Sequence, residues 1–127
     1  VQDDVVFFGA CFNEQKWGLI ENSEALILPS YHENFGMVVC ESISVGVPVL
    51  ISKYVNIQNE IDEAGAGIVF ENNAAGISAA ITSFNEMEEG LKNLMSEKGI
   101  RLHQNKFSSN AAALELERVL IEAFKTC

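Results

Sequence analysis

The 127-residue chain is poor in proline, cysteine and basic side chains, with 2 Pro, 3 Cys and 8 Lys plus Arg. So little Pro, together with 9 Gly, excludes a collagen-like or low-complexity chain. Cys11, Cys40 and Cys127 are widely spaced and form no Cys-x-x-Cys or Cys/His cluster. This spacing argues against a disulfide framework and against a zinc site, so we expect reduced, inert thiols.

The chain has 18 Asp plus Glu against 8 Lys plus Arg, so its formal net charge is −10. Phosphate backbones and anionic lipid repel such a chain, so general nucleic-acid binding is disfavoured as a function. A local anion site stays open, because backbone amides bind phosphate without any Lys or Arg. No apolar run approaches the roughly 20 residues that a membrane helix needs.

Hydrophobic residues make up 48% of the chain, which is enough for a core. A chain of this length buries roughly 65% of its unfolded surface and corresponds to one domain. No basic-then-apolar leader opens the sequence, so we expect no signal peptide in it. The chain starts at Val1 and enters a strand-like run within residues 1–5, from which we expect a segment of a longer protein.

Short apolar runs rich in Val and Ile alternate with helix-length segments. Such runs are typical of strands that are buried on both faces, as in a parallel sheet covered by helices. The predicted strands are 5–8, 25–28, 47–52 and 67–70. The predicted helices between them are 14–22, 34–45 and 57–64. This order predicts an α/β fold with a Rossmann-like, doubly wound parallel sheet.

The second half of the sequence has little strand signal. Residues 74–83, 86–98 and 109–125 are predicted helices, and in the last of them apolar residues recur at helical spacing. Ser108 or Ser109 is a candidate N-cap for the last of them. We therefore expect a helical C-terminal tail after the sheet.

The residues best suited to binding or catalysis lie between positions 29 and 41, after a predicted strand and at the start of a predicted helix. Ligands of open α/β sheets bind beyond the carboxyl ends of the strands. The first turn of a helix has free N–H groups and a partial positive charge, and Gly36 leaves room for an anion there. We predict an anion site formed by the backbone amides of Phe35, Gly36, Met37 and Val38.

Two carboxylates, Glu33 and Glu41, stand eight residues apart in this stretch. Glu41 has mostly apolar neighbours, and a carboxylate in such surroundings needs a partner or a ligand. Two adjacent hydroxyls, such as those of ribose, suit this acceptor. The spacing alone leaves other interpretations open, in which Glu41 is solvated or pairs with a Lys, and Glu33 only caps the helix.

Residues 30–52, SYHENFGMVVCESISVGVPVLIS, resemble the retaining glycosyltransferases of the large group 1 family, which have the GT-B fold. That family carries Glu-x7-Glu after a Pro-Ser turn, followed by a helix, a Gly-x-Pro and a strand. Further similarity to the family lies before and after this stretch, at 5–9, 16–25, 56–61 and 65–69. The resemblance covers residues 5–70, whereas the helical tail is similar in pattern only.

The resemblance implies a donor site for a nucleotide diphosphate sugar. Glu33 is then the catalytic residue that contacts the donor sugar near the reacting centre, and Glu41 holds the ribose hydroxyls. The amides of residues 35–38 bind sugar hydroxyls and diphosphate, and Gly9 and Ala10 lie near the base. The family reaction retains the anomeric configuration, and the donor site needs no metal or other cofactor.

One element of the family is missing from this sequence. The family's C-terminal domain begins with a strand and a Gly-Arg-x-x-x-Lys-type loop that pairs with the diphosphate, and Lys16 does not fit that motif. The resemblance implies that residues 1–127 are an incomplete C-terminal nucleotide-sugar-binding domain, inactive alone. The acceptor, a saccharide or a lipid-linked group, then binds in an absent N-terminal domain. The unpaired edge of the incomplete sheet predicts self-association.

For the parent enzyme we expect hexosyl transfer in surface polysaccharide synthesis. We expect it in the cytoplasm, with any contact to the inner membrane made through the absent domain. Alternatives are a non-catalytic nucleotide- or partner-binding module and a purely structural α/β domain. Among other residues, Tyr31 and His32 are expected at the cleft wall, and Phe8 and Trp17 in the core. Lys53 follows a strand end and is a weaker candidate for the cleft.

Overall fold

A computed structural model describes residues 2–125 of the chain, and Cys127 lies outside the described residues. The described strands are β1 (Leu26–Leu28), β2 (Val49–Ser52) and β3 (Gly67–Phe70). The described α-helices are α1 (Asn13–Glu21), α2 (Met37–Ser44), α3 (Gln58–Ala64), α4 (Ala74–Asn85), α5 (Glu89–Leu102) and α6 (Ser109–Lys125). A 3-10 turn, Gln2–Asp4, precedes α1, and a π-helical segment, His103–Phe107, joins α5 to α6.

The strands form a parallel sheet in the order β1-β2-β3. Leu26 pairs with Val49, which pairs in turn with Gly67. The central strand β2 is buried along its whole length, as expected of a parallel strand between two helical layers. Val49 and Ile51 pack with residues of α2 and α3, whereas Leu50 packs with residues of α4 on the other face. The predicted doubly wound α/β fold is confirmed.

The first predicted strand is wrong. Residues 5–8 have no strand structure, and Phe7 is 93% exposed. Phe8, which was expected in the core, is 67% exposed, while Trp17 is half-buried. A strand requires backbone hydrogen bonds to a neighbour, and within residues 2–125 the sheet offers this segment none. The apolar composition of residues 5–8 suits a buried strand, but composition does not show whether a neighbouring strand is there to pair with it.

Strand β1 is an edge of the described sheet, with β2 as its neighbour on one side. The side chain of Ile27 in this strand is 39% exposed. An unpaired edge is a template for another chain. Self-association through this edge stays a prediction.

The helical C-terminal tail is confirmed. Helix α5 packs against α2, and a Cβ added at Gly99 would lie 3.2 Å from the Cβ of Ile43. Ser108 caps α6, since its Oγ accepts a hydrogen bond from the amide of Ala111 at 3.1 Å. In the part of the chain that the structure describes, no helix combines the length and apolar character needed to span a membrane.

The two described cysteines are expected to differ in reactivity. Cys40 in α2 is 5% exposed, and burial, together with the charge of Glu41, raises the pKa of its thiol to about 11. Because the thiolate is the reactive form, we expect iodoacetamide at pH 8 to modify the partly exposed Cys11 well before Cys40. Timed labelling with peptide mass spectrometry measures both rates, and equal rates would contradict the burial of Cys40.

The raised pKa of Cys40 also has a consequence for stability. The ordinary value is 9.0, so the folded state holds the proton more tightly than the unfolded chain does. The stabilising contribution is therefore complete below pH 9 and is lost as the pH rises toward 11.

Candidate functional site

The loops that follow β1 and β2 are joined at the carboxyl edge of the sheet. Glu33 forms a parallel bridge with Val55, and its carbonyl accepts a hydrogen bond from the amide of Asn56 at 3.2 Å. The hydroxyl of Ser52, at the end of β2, donates to the carbonyl of Ser30. These bonds hold the loop after β1 in place at the edge where open α/β sheets bind their ligands.

Helix α2 begins at Met37, later than predicted, because Gly36 adopts a left-handed conformation with φ 67° and ψ 58°. The first backbone bonds of the helix run from the amides of Val39 and Cys40 to the carbonyl of Gly36, at 2.8 and 3.3 Å. Within residues 2–125, the amides at positions 35–38 have no acceptor. Unpaired amides at the positive end of a helix favour an anion.

The surroundings and the conformation of Gly36 leave little tolerance for a side chain. A Cβ there would lie 3.3 Å from Cγ2 of Val39 and 3.4 Å from Cγ1 of Val55. We expect Gly36→Ala to lower the free energy of unfolding by about 1–2 kcal/mol, because the left-handed region costs an L-residue that much. Chemical denaturation of the variant and the wild type measures the difference.

Gly18→Ala in α1 is the matched control for that substitution. Its surroundings are open, with no heavy atom of another residue within 4 Å of an added Cβ. Ala in a helix interior is favoured over Gly by about 0.5–1 kcal/mol, so this variant is expected to gain stability. A loss of the same size in both variants would contradict the special conformation of Gly36.

Glu41 lies one helical turn beyond these amides, and its side chain is 21% exposed. Its Oε1 accepts a hydrogen bond from Nζ of Lys16 in α1 at 2.6 Å. Glu41 therefore has a Lys as its partner, as one interpretation of the spacing predicted. Among the described residues, no hydrogen bond reaches Oε2 of Glu41, so this oxygen keeps its capacity to accept hydrogen bonds.

Glu33 differs from Glu41 in how it is held. Its backbone is fixed by the bridge to Val55, and its side chain is half-buried. Within residues 2–125 its carboxylate has no hydrogen-bond or ion-pair partner. A carboxylate that is anchored only through its backbone remains available to a ligand at the same edge.

Other polar residues at this edge already contact neighbouring residues, which limits how they can bind a ligand. Lys53 forms an ion pair with Glu71 at 2.8 Å, and both residues directly follow strand ends at this edge. Tyr31 is exposed, and its ring lies 6.1 Å from that of Tyr54, a residue that the sequence analysis did not single out. The signal for Tyr54 was its place just after β2, since parallel strands end at the same edge. The amide of His32, an exposed residue, is bound by the hydroxyl of Ser30.

Gly9 and Ala10 lie outside the sheet and are exposed. Ala10 lines a small hollow of about 350 Å³ at the start of α1, with Phe8, Cys11, Gln15, Gly18 and Leu19. Lys16 in α1 connects this part of the chain to the carboxylates through its ion pair with Glu41. Residues 33–41 thus lie at the carboxyl edge of the sheet. Gly9 and Ala10 lie in the segment that leads to α1.

An open parallel sheet with unpaired amides and two carboxylates at its carboxyl edge is the arrangement of α/β proteins that bind a ligand beyond the ends of their strands. The profile of the family described as glycosyl transferases group 1 matches residues 1–102. The chain belongs to the group 1 glycosyltransferase family. The resemblance stated from residues 30–52 is thereby confirmed.

Among solved structures, sucrose-phosphate synthase from Thermosynechococcus elongatus is similar to this chain, with a TM-score of 0.79 and 22% sequence identity. The match covers 98% of this chain and 31% of the synthase chain. At this identity the likeness shows the fold, which is that of a GT-B glycosyltransferase. None of the curated proteins compared with the chain matches it.

Proposed function

We propose that this chain is part of the donor-binding domain of a retaining glycosyltransferase. The enzyme transfers a hexosyl group from a nucleotide diphosphate sugar to a saccharide or lipid-linked acceptor, in surface polysaccharide synthesis. The observation that carries the proposal is the row of unpaired amides at residues 35–38, one helical turn from the open oxygen of Glu41. Membership of the group 1 family supports the class of reaction.

The proposed chemistry depends on where negative charge develops during sugar transfer. The diphosphate leaving group gains negative charge as the glycosidic bond breaks. The amides of residues 35–38, at the positive end of α2, stabilise that charge without having to reorganise. This is the part of the reaction to which the backbone of the chain contributes most.

The side chains have separate proposed roles. Oε2 of Glu41 accepts hydrogen bonds from the ribose hydroxyls, because a carboxylate binds two adjacent hydroxyls well. Glu33, held at the same edge, contacts the donor sugar near the reacting carbon. Gly9 and Ala10 lie near the base. The acceptor binds in a domain outside this chain, and the chain alone binds donor without transferring sugar.

Two-dimensional amide NMR of the chain, titrated with UDP, GDP, ADP and their sugar conjugates, tests this proposal. We expect saturable shifts that cluster at residues 33–41 and that favour one base. The absence of any shift at millimolar ligand would contradict it. Binding without transferase activity in the full-length protein would favour a non-catalytic nucleotide-binding module instead.

A further inference from the structure

We propose that Lys16 is a positioning residue of the candidate site. Its ammonium group holds Oε1 of Glu41, so that Oε2 is presented to the ribose hydroxyls of a nucleotide. The inference rests on the proposed function, because it takes Glu41 as the group that binds ribose. It adds a residue of another helix to the site and states what that residue does.

The geometry of the pair is the first argument. Nζ of Lys16 lies 2.6 Å from Oε1 of Glu41, and the two residues are 25 positions apart in the chain. The ammonium also lies 5.3 Å from the centroid of the Trp17 ring, whose face attracts a cation. The ammonium is therefore held by a carboxylate and by an aromatic ring, and its position is more restricted than that of a free surface Lys.

Burial is the second argument. The side chains of Lys16 and Glu41 are 34% and 21% exposed, whereas those of Lys53 and Glu71 are 43% and 60% exposed. Partly buried ion pairs are screened less by solvent and salt than exposed pairs are. A carboxylate as buried as that of Glu41 needs a charged or hydrogen-bonding partner, and Lys16 supplies it.

The hydrogen-bonding capacity of the carboxylate is the third argument. An ionised carboxyl has about four acceptor positions over its two oxygens. Lys16 occupies one position on Oε1, and within the described chain no donor reaches Oε2. The remaining positions suffice for two adjacent hydroxyls. An oxygen that is already oriented binds them with less loss of side-chain freedom.

The test separates this orientation from a general effect of charge. The dissociation constants of the preferred nucleoside diphosphate among UDP, GDP and ADP, and of its 2′-deoxy form, are measured for the wild type and for Lys16→Met. Loss of the ammonium weakens both ligands through their phosphates. Loss of orientation weakens the ligand with the ribose diol more than the 2′-deoxy ligand, which keeps one of the two hydroxyls. We therefore expect the preference for ribose over deoxyribose to fall about three- to tenfold.

Three further variants complete the experiment. Lys16→Arg keeps the charge and the hydrogen bond and is expected to keep the preference. Lys92→Met removes the same charge from a pair with Glu24, at the opposite edge of the sheet, and is expected to change nothing. If the amide spectrum of Lys16→Met shows that this variant does not fold, Lys16→Gln replaces it.

The outcomes distinguish the inference from the proposed function. If the wild type prefers ribose and Lys16→Met keeps the full preference, the positioning role is overturned and the donor site stands. A preference that rises in Lys16→Met also overturns it, because Lys16 then competes with the ribose. If the wild type binds no nucleotide at millimolar concentration, the proposed function fails and the inference fails with it.

Discussion

Glu41→Gln is expected to weaken nucleoside diphosphate binding about ten- to a hundredfold. A hydrogen bond to a charged group contributes about 1.5–3 kcal/mol, and the neutral amide loses most of that contribution. The substitution also leaves the ammonium of Lys16 without its partner. Titration calorimetry or amide NMR with UDP, GDP and ADP measures the dissociation constants of both proteins.

Glu60→Gln is the matched control for this experiment. Glu60 in α3 also forms an ion pair, with Lys106 at 3.1 Å, and its side chain is 27% exposed against 21% for Glu41. The same atoms change and the same charge is lost, but the carboxylate lies on another helix. Glu60 lines a cavity together with Phe35, but the proposed ligand contacts come from the backbone of residues 35–38 and from Glu41. We therefore expect the binding constant of Glu60→Gln to stay within about twofold of the wild type. Equal losses in the two variants would show that net charge, and not Glu41, determines binding.

Ile43→Ala is expected to lower the free energy of unfolding by about 2–5 kcal/mol. Ile43 is 1% exposed and lies where α2 meets Gly99 of α5. Truncation leaves a cavity that two backbones in close contact cannot fill by a small shift. Because domains of this size are stable by only about 5–15 kcal/mol, the loss is a large fraction of the total. Chemical denaturation with an unchanged m-value gives the difference.

Ile121→Ala in α6 provides the comparison. Ile121 is 47% exposed, so little apolar surface returns to water when its side chain is shortened. Surface substitutions usually change stability by within about 0.5 kcal/mol. If this variant lost as much stability as Ile43→Ala, the core would not lie where α2 packs between the sheet and α5. Since α2 also carries Glu41, the position of the site depends on that packing.

Much of the fold could be predicted from apolar runs and from stop signals. The run at β2 is buried on both sides, and its neighbours β1 and β3 lie at the expected places in the chain. Residues 5–8 have the same composition as these strands but form none, because hydrogen bonding to a neighbour is not encoded in a local run. Composition thus indicates which segments suit a sheet, but not which of them have a partner.

The first residue of α2 also differs between the prediction and the structure. The helix was predicted from residue 34, and it begins at Met37 because Gly36 takes the left-handed conformation. A glycine in a sequence permits that conformation but does not require it. The loop that contains Gly36 is held by the bridge between Glu33 and Val55, a contact between two loops that are far apart in the chain.

The sequence by itself determined the α/β class, the helical tail and the family, because an ordered motif such as residues 30–52 needs no knowledge of contacts. It also placed the two carboxylates and the amides of residues 35–38 on one segment. Only the tertiary structure showed that Lys16 is the partner of Glu41, since their ion pair joins two helices. Pairing between side chains on different elements depends on packing, and packing is a property of the whole fold.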